Sequence, residues 1–211
     1  MTDETTQQVL PPGRQAGVCL HITSLPGPNG IGEIGQHARQ FVDTLKKMRL
    51  GVWQFLPTGP TAYGDSPYQP LSTFAGNELL IDVAELISLG LLTEAEVSEL
   101  KALPSDYVDY GALIPIKNRL LRLAAGRFEE KVDPELKDAC DEFVEKIDKL
   151  WLHDYALFRI LKTQHGERPW PEWQPEYVHR DPEALRELEL AVDTEVADIK
   201  VLQFRFYYQW Q

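Results

Sequence analysis

Gly17-Val-Cys-Leu-His-Ile-Thr-Ser-Leu25 is a short apolar run between polar segments, and it predicts a β-strand. The ten residues that follow, 26–35, contain four glycines and two prolines and predict a loop. Residues 36–48 predict a helix, because apolar residues recur at the spacing i, i+3, i+4, i+7. That apolar face is formed by Ala38, Phe41, Val42 and Leu45. Gly51-Val-Trp-Gln-Phe-Leu-Pro57 predicts a second strand, and this order of elements is typical of a parallel β/α unit.

The segment after the second strand, residues 58–76, predicts a long loop. It contains three prolines and three glycines, with Tyr63, Tyr68 and Phe74 between them. Loops of this length are usually functional or disordered, and the aromatic content favours an ordered, functional one. Beyond the loop, we expect a short third strand at 78–83 and a helix at 83–92.

The rest of the chain predicts mostly helix. Thr93 and Glu96 have the spacing of a capping box, and residues 116–125 and 135–161 have helical periodicity. Gly166-Glu-Arg-Pro-Trp-Pro-Glu-Trp173 interrupts the helical pattern, and a last helix is expected at 182–210. The resulting division is a disordered tail at 1–13, the first β/α units with their loop at 14–92, a helical insertion at 93–180, and a returning helix at 181–211.

Composition and charge narrow the class of partner. The 211 residues carry a net charge of −12, which argues against nucleic acid and anionic membranes as partners. Cys19 and Cys140 fit no metal or redox spacing, and the cysteine usage favours a reducing cytoplasm. Gly30, Gly32 and Gly35 lack the spacing of a dinucleotide-binding turn, so a dinucleotide cofactor is not expected.

The residues best suited to bind a ligand lie in Gly59-Pro-Thr-Ala-Tyr-Gly-Asp-Ser-Pro-Tyr-Gln69. In a parallel β/α fold, ligands bind at the carboxyl ends of the strands, where this loop begins. Tyr63 and Tyr68 offer flat faces for the C–H side of a sugar ring, and Ser66 and Asp65 can bond its hydroxyls. A rigid Pro-Tyr loop that packs on itself explains the same residue types equally well.

Several motifs resemble those of one enzyme family. Leu20-His-Ile-Thr-Ser-Leu-Pro-Gly-Pro-Asn-Gly-Ile-Gly-Glu-Ile-Gly35, Trp53-Gln-Phe-Leu-Pro-Thr-Gly-Pro60 and Tyr63-Gly-Asp-Ser-Pro-Tyr-Gln69 resemble the opening motifs of 4-α-glucanotransferases, glycoside hydrolase family 77, in order and spacing. Later stretches also match: 74–77 with 80–82, 108–111, 151–158, 166–173, 202–204 and 209–210. The resemblance covers residues 14–211.

The resemblance implies a (β/α)8 barrel with helical insertions that transfers α-1,4-glucan segments between maltooligosaccharides with retention of configuration. It also implies no cofactor and no required metal. It implies that Tyr68 stacks near the sugar at the cleavage point, that Ser66 and Asp65 shape that subsite, and that Tyr63 belongs to a second glucan site. Ile114 stands where some members place an aromatic residue of that second site.

The catalytic motifs that the family carries on later strands are not found in these 211 residues. There is no Arg-x-Asp-His, no Ala-Glu-Asp-Leu-Gly, and no His-Asp pair before a Thr. We therefore expect an amino-terminal portion of such an enzyme, an incomplete barrel, with no catalytic residue of its own. The alternative is a truncated, non-catalytic remnant that binds glucan weakly at most.

Two tryptophans outside the loop have two interpretations. Trp170 and Trp173 could line a sugar groove, or they could pack the helical insertion against the rest of the fold. Packing is the simpler interpretation. His21 is interpreted as a hydrogen-bonded core residue rather than a catalyst.

Overall fold

The computed structural model describes residues 13–211, with the side chain of Tyr63 left undescribed. The disordered tail expected at 1–13 therefore lies, apart from Gly13, outside the described residues. No helix in the described part of the chain is both long and apolar enough to cross a membrane.

The first β/α unit is present, with shorter strands than predicted. Strand β1 (Gly17–Cys19) and strand β2 (Val52–Gln54) are parallel, with Gly17 opposite Val52 and Cys19 opposite Gln54. Helix α1 (Gln36–Lys47) connects them and confirms the predicted helix. Beyond β1 the chain turns into a 3-10 helix at Ile22–Ser24, so the predicted strand ends early. The indole N–H of Trp53 donates to the Leu20 carbonyl (2.8 Å), which ties the two chain segments together past the sheet.

The predicted third strand is wrong. Residues Glu78–Leu80 form a 3-10 helix that begins at Asn77, whose side chain accepts from the Leu79 N–H. Two residues later Asp82 caps helix α2 (Val83–Ser88) by accepting from the Ala84 N–H. Asn and Asp side chains that bond nearby backbone groups favour turns over sheet pairing, and here they act on both sides of the apolar run. Helix α2 confirms the predicted helix and ends four residues earlier than expected.

The helical prediction for the middle of the chain is confirmed. Its helices are α3 (Ser98–Lys101), α4 (Tyr110–Gly126), α5 (Phe128–Lys131), α6 (Pro134–Ile147) and α7 (His153–Gln164), and a π-helical turn at Asp148–Leu152 joins the last two. Asp109 and Asp133 cap α4 and α6 through hydrogen bonds to backbone N–H groups. Thr93 and Glu96 form the predicted capping box, with Thr93 N–H donating to Glu96 (2.9 Å) and Glu96 N–H donating to Thr93 (3.3 Å).

The last helix is divided. After the predicted break come α8 (Pro175–Val178), α9 (Pro182–Ala191) and α10 (Asp193–Trp210). Val192 leaves the helical conformation (φ −126°, ψ 27°), which separates α9 from α10. Val192 is buried in one apolar cluster with Leu188 and Val196, so the break lets both helices face the same core.

Two apolar clusters hold these elements. The larger joins the loop after β1 to helices α1, α2, α4, α5, α6 and α10, and the smaller joins α7, α9, α10 and Trp173. Inside the larger one, the fully buried ammonium of Lys117 pairs with the carboxylate of Glu33, which also accepts from Asn29 (2.9 Å). A buried charge needs such partners, and this pair fastens the glycine-rich loop to α4. The division at residues 92 and 180 stays a prediction.

Candidate functional site

The loop that follows β2, residues 58–77, closes on itself at its neck. The Asn77 N–H donates to the Thr58 carbonyl (2.8 Å), and the Leu71 N–H donates to the Pro60 carbonyl (2.9 Å). Thr61 and Pro70 form an antiparallel bridge one step farther out. We call these twenty residues the substrate loop, after the binding role that the sequence predicts for them. Because backbone hydrogen bonds close its neck, the loop has a defined structure.

Helix α10 fastens the carboxyl side of the substrate loop. The buried side chain of Gln203 accepts from the Gly76 N–H (2.9 Å), and its amide nitrogen donates to the Gly76 carbonyl (3.0 Å) and to Glu78 (3.0 Å). Tyr207 donates its hydroxyl to the Phe74 carbonyl. A glutamine side chain thus satisfies both backbone groups of a buried glycine, which would otherwise be left without partners.

A second glutamine of α10 repeats the arrangement. Gln209 accepts from the Asp82 N–H (2.8 Å) and donates to the Asp82 carbonyl (3.4 Å). Gly76 itself lies so close to α10 that a β-carbon there would come within 2.0 Å of the Phe206 ring. The substrate loop therefore depends on side chains more than 120 residues away in sequence.

The tip of the substrate loop contains the four residues predicted to bind a ligand. Tyr63–Asp65 form a 3-10 turn in which Gly64 and Asp65 have positive φ angles of 69° and 53°. The Asp65 N–H donates to the Ala62 carbonyl (3.3 Å), and the Gln69 N–H donates to the Ser66 carbonyl (3.2 Å). Asp is one of the few residues with a side chain that tolerate this conformation, which explains its presence there.

Tyr68 is an exposed aromatic residue of the tip. Its side chain is 68% exposed, and its backbone N–H lies 3.4 Å from the Ser66 hydroxyl that it donates to. Ser66 thus supports the backbone of Tyr68. Phe74, on the returning side of the loop, is 59% exposed and stacks on Trp151 with ring centroids 6.1 Å apart. The neck of the loop packs on itself, as one interpretation predicted, and the tip presents an aromatic face to solvent, where ligand binding stays a prediction.

A cavity of about 610 Å³ lies behind the tip, between the substrate loop and helices α4 and α7. Asp65 lines it, so the predicted residues Asp65 and Tyr68 serve different surfaces of the loop. The same cavity is also lined by Ile114 and by the polar residues Asn77, Glu78, Asn118, Tyr155, Arg159, Lys162 and Glu167. Mixed carboxylates, cations, amides and a phenol in a cavity of this size can hold a neutral ligand with many hydroxyls.

Two groups of this cavity titrate away from their ordinary values. Desolvation raises the pKa of Glu78, and hydrogen bonding from Gln203 and the charges of Arg159 and Arg122 oppose that rise. Desolvation also raises the pKa of Tyr155, with the carboxylate of Glu78 acting in the same direction. Tyr155 is thus a neutral phenol, able to donate to a hydroxyl oxygen.

Two other carboxylates, Glu33 and Asp82, line a small cavity beside the loop that follows β1. Desolvation raises the pKa of Glu33, and Lys117 and Asn29 lower it in part. The cavity that this pair lines is only about 60 Å³, far below the size of ligand pockets, and the carboxylates bond to Lys117, Asn29 and the Ala84 N–H. The pair stabilises the fold. Among residues 13–211, no group of three or more His, Cys, Asp or Glu side chains is placed to hold a metal ion.

Sequence reasoning missed the residues that hold the loop and line the cavity. Gln203 and Gln209 carry a signal that could have been used, because each is an amide within the most apolar stretch of α10. Such residues are buried only when their hydrogen bonds are satisfied. Glu78 and Arg159 carry no comparable signal, since charged residues on helices are usually solvated.

These features define a class: a β/α protein with an ordered aromatic loop at the carboxyl end of a parallel strand pair and a polar cavity behind it. The family model described as 4-alpha-glucanotransferase, glycoside hydrolase family 77, matches residues 20–211, and the chain belongs to this family. The resemblance of the sequence motifs is thereby confirmed.

Curated relatives include the 4-alpha-glucanotransferases of Thermus thermophilus and a Synechocystis species. They are 44% and 36% identical over 93% and 94% of this chain, and the matches cover 38% and 39% of those proteins. Among solved structures, amylomaltase from Streptococcus agalactiae in complex with acarbose matches with a TM-score of 0.85 at 32% identity, covering 94% of this chain and 40% of that one. The chain thus spans about two-fifths of the length of these relatives.

Proposed function

We propose that this chain supplies part of the glucan-binding surface of a 4-α-glucanotransferase and forms the first units of its (β/α)8 barrel. The observation that carries the proposal is the exposed Tyr68, held on a closed loop at the carboxyl end of β2. A fixed aromatic face loses little conformational freedom when a sugar ring stacks on it. The similarity to an amylomaltase in complex with acarbose supports the same ligand class.

The roles proposed for the loop residues combine the family resemblance with the geometry of the loop. By resemblance, Tyr68 stacks on the sugar nearest the cleaved bond, and in the structure Ser66 holds the backbone that presents Tyr68. Asp65 faces the polar cavity, where it can accept hydrogen bonds from sugar hydroxyls. Tyr63 is assigned to a second glucan site by resemblance alone, and Ile114 in the cavity lining weakens that assignment.

The reaction itself needs groups outside this set. Retaining transfer requires a carboxylate nucleophile and a second carboxyl group about 5 Å apart in an open site. Glu33 and Asp82 are buried and bonded within a small cavity, so we do not assign them to this chemistry. We therefore propose that the 211-residue chain binds maltooligosaccharides and does not transfer glucose units. A cytoplasmic location, and an absence of nucleic-acid and membrane partners, are part of the same proposal.

A binding experiment tests the proposal. The 211-residue chain is titrated with maltoheptaose, beside Tyr68→Ala, Tyr68→Phe and the control Tyr107→Ala, which removes a comparably exposed tyrosine (61%) outside the loop. We expect Tyr68→Ala to weaken binding at the loop about tenfold, Tyr68→Phe to keep most of it, and Tyr107→Ala to match the parent, since an aromatic contact is worth about 0.5–1.5 kcal/mol. Equal binding by all four chains would refute the role of Tyr68.

A disproportionation assay on maltotriose tests the catalytic part. We expect no glucose release above background from the purified chain or from Tyr68→Ala. Release that is lost in Tyr68→Ala would mean that a catalytic carboxyl pair exists within these residues.

A further inference from the structure

A groove of about 340 Å³ lies on the helical part of the chain, away from the tip of the substrate loop. Its floor is apolar and comes from α7 and the segment after it: Leu157, Phe158, Leu161 and Trp173. Trp170, Tyr177 and Leu185 form its sides, and Asp154 and Arg180 are its charged residues. We propose that this groove is a further binding surface for α-1,4-glucan, with Trp170 as its stacking face. The choice of ligand rests on the proposed function.

The two tryptophans of the groove differ in their roles. Trp173 is 8% exposed, stacks on His165 with centroids 5.1 Å apart, and donates its indole N–H to the Arg168 carbonyl (3.3 Å). Trp170 is 53% exposed although it lies in the same short segment. Trp173 therefore builds the groove, and Trp170 presents an open indole face to whatever enters it.

The segment that carries Trp170 is rigid. Pro169 and Pro171 flank it and restrict the backbone on both sides. The Glu172 N–H donates to the Pro169 carbonyl (3.0 Å), and Lys162 of α7 donates to the carbonyls of Glu167 (2.7 Å) and Arg168 (3.0 Å). An exposed aromatic side chain on a backbone fixed in this way loses little entropy on binding.

The charged rim suits the hydroxyl edge of a sugar. Arg180 and Asp154 form an ion pair (2.7 Å) in which both side chains are more than 60% exposed, so their remaining donors and acceptors face water. Arg180 takes the left-handed conformation (φ 54°) at the end of α8, a position where glycine ends helix α2 (Gly90, φ 71°). A residue with a side chain is less favourable there than glycine, and Arg180 lines the groove from this position. Apolar floor, aromatic wall and charged rim match the C–H face and hydroxyl edge of a pyranose.

The groove adjoins the candidate site through a single segment. Pro169 lines the cavity behind the substrate loop, and the next residue, Trp170, lines the groove. Consecutive α-carbons are about 3.8 Å apart, so the two surfaces lie on either side of one stretch of backbone.

Fluorine NMR on the 211-residue chain labelled with 5-fluorotryptophan tests the inference, since only five tryptophans contribute signals. Trp170→Phe assigns the Trp170 resonance, and maltoheptaose is then titrated into the parent and into Tyr68→Ala. We expect the Trp170 resonance to shift saturably in both chains. Cellohexaose, the β-1,4 control, should shift it far less. A Trp170 resonance that does not move, or that moves equally with cellohexaose, would overturn the inference.

Gel retardation in amylose gives a second readout. We expect Trp170→Ala to weaken retardation about three- to tenfold, Trp170→Phe to keep most of it, and Tyr107→Ala to behave as the parent. Retardation that depends on Tyr68 alone overturns the groove and leaves the proposed function standing. Retardation that depends on Trp170 and not on Tyr68 overturns the proposed role of Tyr68 and leaves the groove standing. If no chain is retarded, the groove and the proposed function are both refuted.

Discussion

The substrate loop (58–77) and the segment that carries Trp170 (165–181) are both rich in proline and aromatic residues, and both present exposed rings: Tyr68 and Phe74 in the loop, and Trp170 in the segment. They are held in different ways. The substrate loop is fastened by Gln203 and Tyr207, more than 120 residues away in sequence. The Trp170 segment is fastened mainly by neighbours in sequence, through Lys162, His165 and its own turns, and its contacts with Asp154 and the α9–α10 cluster span far fewer residues than those of the substrate loop.

This difference determines how much of each region's shape depends on distant parts of the chain. The Trp170 segment takes its shape from the ends of α7 and α8, which are local. The substrate loop takes its shape only after α10 has packed against it, so its formation depends on contacts that close long loops of chain. We therefore expect the two regions to respond differently to mutation.

Removing the buried ring of the local segment should have the largest effect. Trp173→Ala should lower the free energy of unfolding by about 3–5 kcal/mol, the range for a large aromatic core residue. Urea denaturation measures it. Trp170→Ala is the matched control three residues away, and because that ring is half-exposed its loss should cost below about 1 kcal/mol. Equal costs for the two variants would show that Trp170 is a packing residue.

Removing the Gln203 side chain, which anchors the substrate loop to α10, should have the second-largest effect on stability. Gln203→Leu leaves the N–H and carbonyl of Gly76 without partners, and we expect a loss of about 2–4 kcal/mol, since each unsatisfied buried group costs about 1–3 kcal/mol. Limited proteolysis should then cut within 58–77 before any other part of the folded chain. Gln40→Leu, on the exposed face of α1, is the control and should stay within about 0.5 kcal/mol of the parent. A substrate loop as resistant as in the parent would contradict the anchor.

A substitution that crowds the contact between Gly76 and α10 also tests whether α10 holds the substrate loop. A β-carbon at Gly76 would meet the Phe206 ring at 2.0 Å. Gly76→Ala should therefore destabilise the fold by about 1–3 kcal/mol through overpacking. Gly126→Ala meets nothing within 4 Å and should be neutral or stabilising by up to about 1 kcal/mol. Thermal melts of both variants decide the point.

The smallest expected effect depends on pH. Glu78 accepts from Gln203, and burial raises its pKa above the ordinary 4.5. The folded state then holds the proton more tightly than the unfolded state, so this contribution to stability is complete below pH 4.5 and is lost as pH rises through the raised pKa. Urea denaturation from pH 4 to 7 should show a decline in the parent that is reduced in Glu78→Gln.

Glu96 is a control because its pKa is shifted in the opposite direction from that of Glu78. Hydrogen bonds from Arg127 and from the Thr93 backbone lower its pKa to about 2, so its contribution is present above pH 4.5 and is lost as pH falls toward 2. Glu96→Gln should leave the decline between pH 4.5 and 7 unchanged. A parent that shows the same pH profile as Glu78→Gln would contradict the burial of a proton-binding carboxyl beside the anchor.

The sequence predicted those parts of the fold that rest on local rules. Periodicity located α1 and the helices within 116–125 and 135–161, capping residues located the Thr93–Glu96 box, and the motifs located the family. The third strand failed because Asn77 and Asp82 bond their own neighbourhood, and the long last helix failed because Val192 turns inward to a core that only the folded chain forms.

For the candidate site, the sequence singled out Tyr63, Asp65, Ser66 and Tyr68 because they stand together in one motif, and their role in binding stays a prediction. The structure then separated them, with Asp65 toward the cavity and Tyr68 toward solvent. The partners from α10 and α7 were not found, because their roles arise from packing between elements far apart in the sequence.

Hydrogen exchange of the 211-residue chain, with and without maltoheptaose, tests the central claim that the substrate loop binds α-glucan. We predict slower exchange in peptides that cover residues 58–77, strongest around 63–69, and no such slowing in Tyr68→Ala. Unchanged exchange across 58–77 at saturating maltoheptaose would contradict the account.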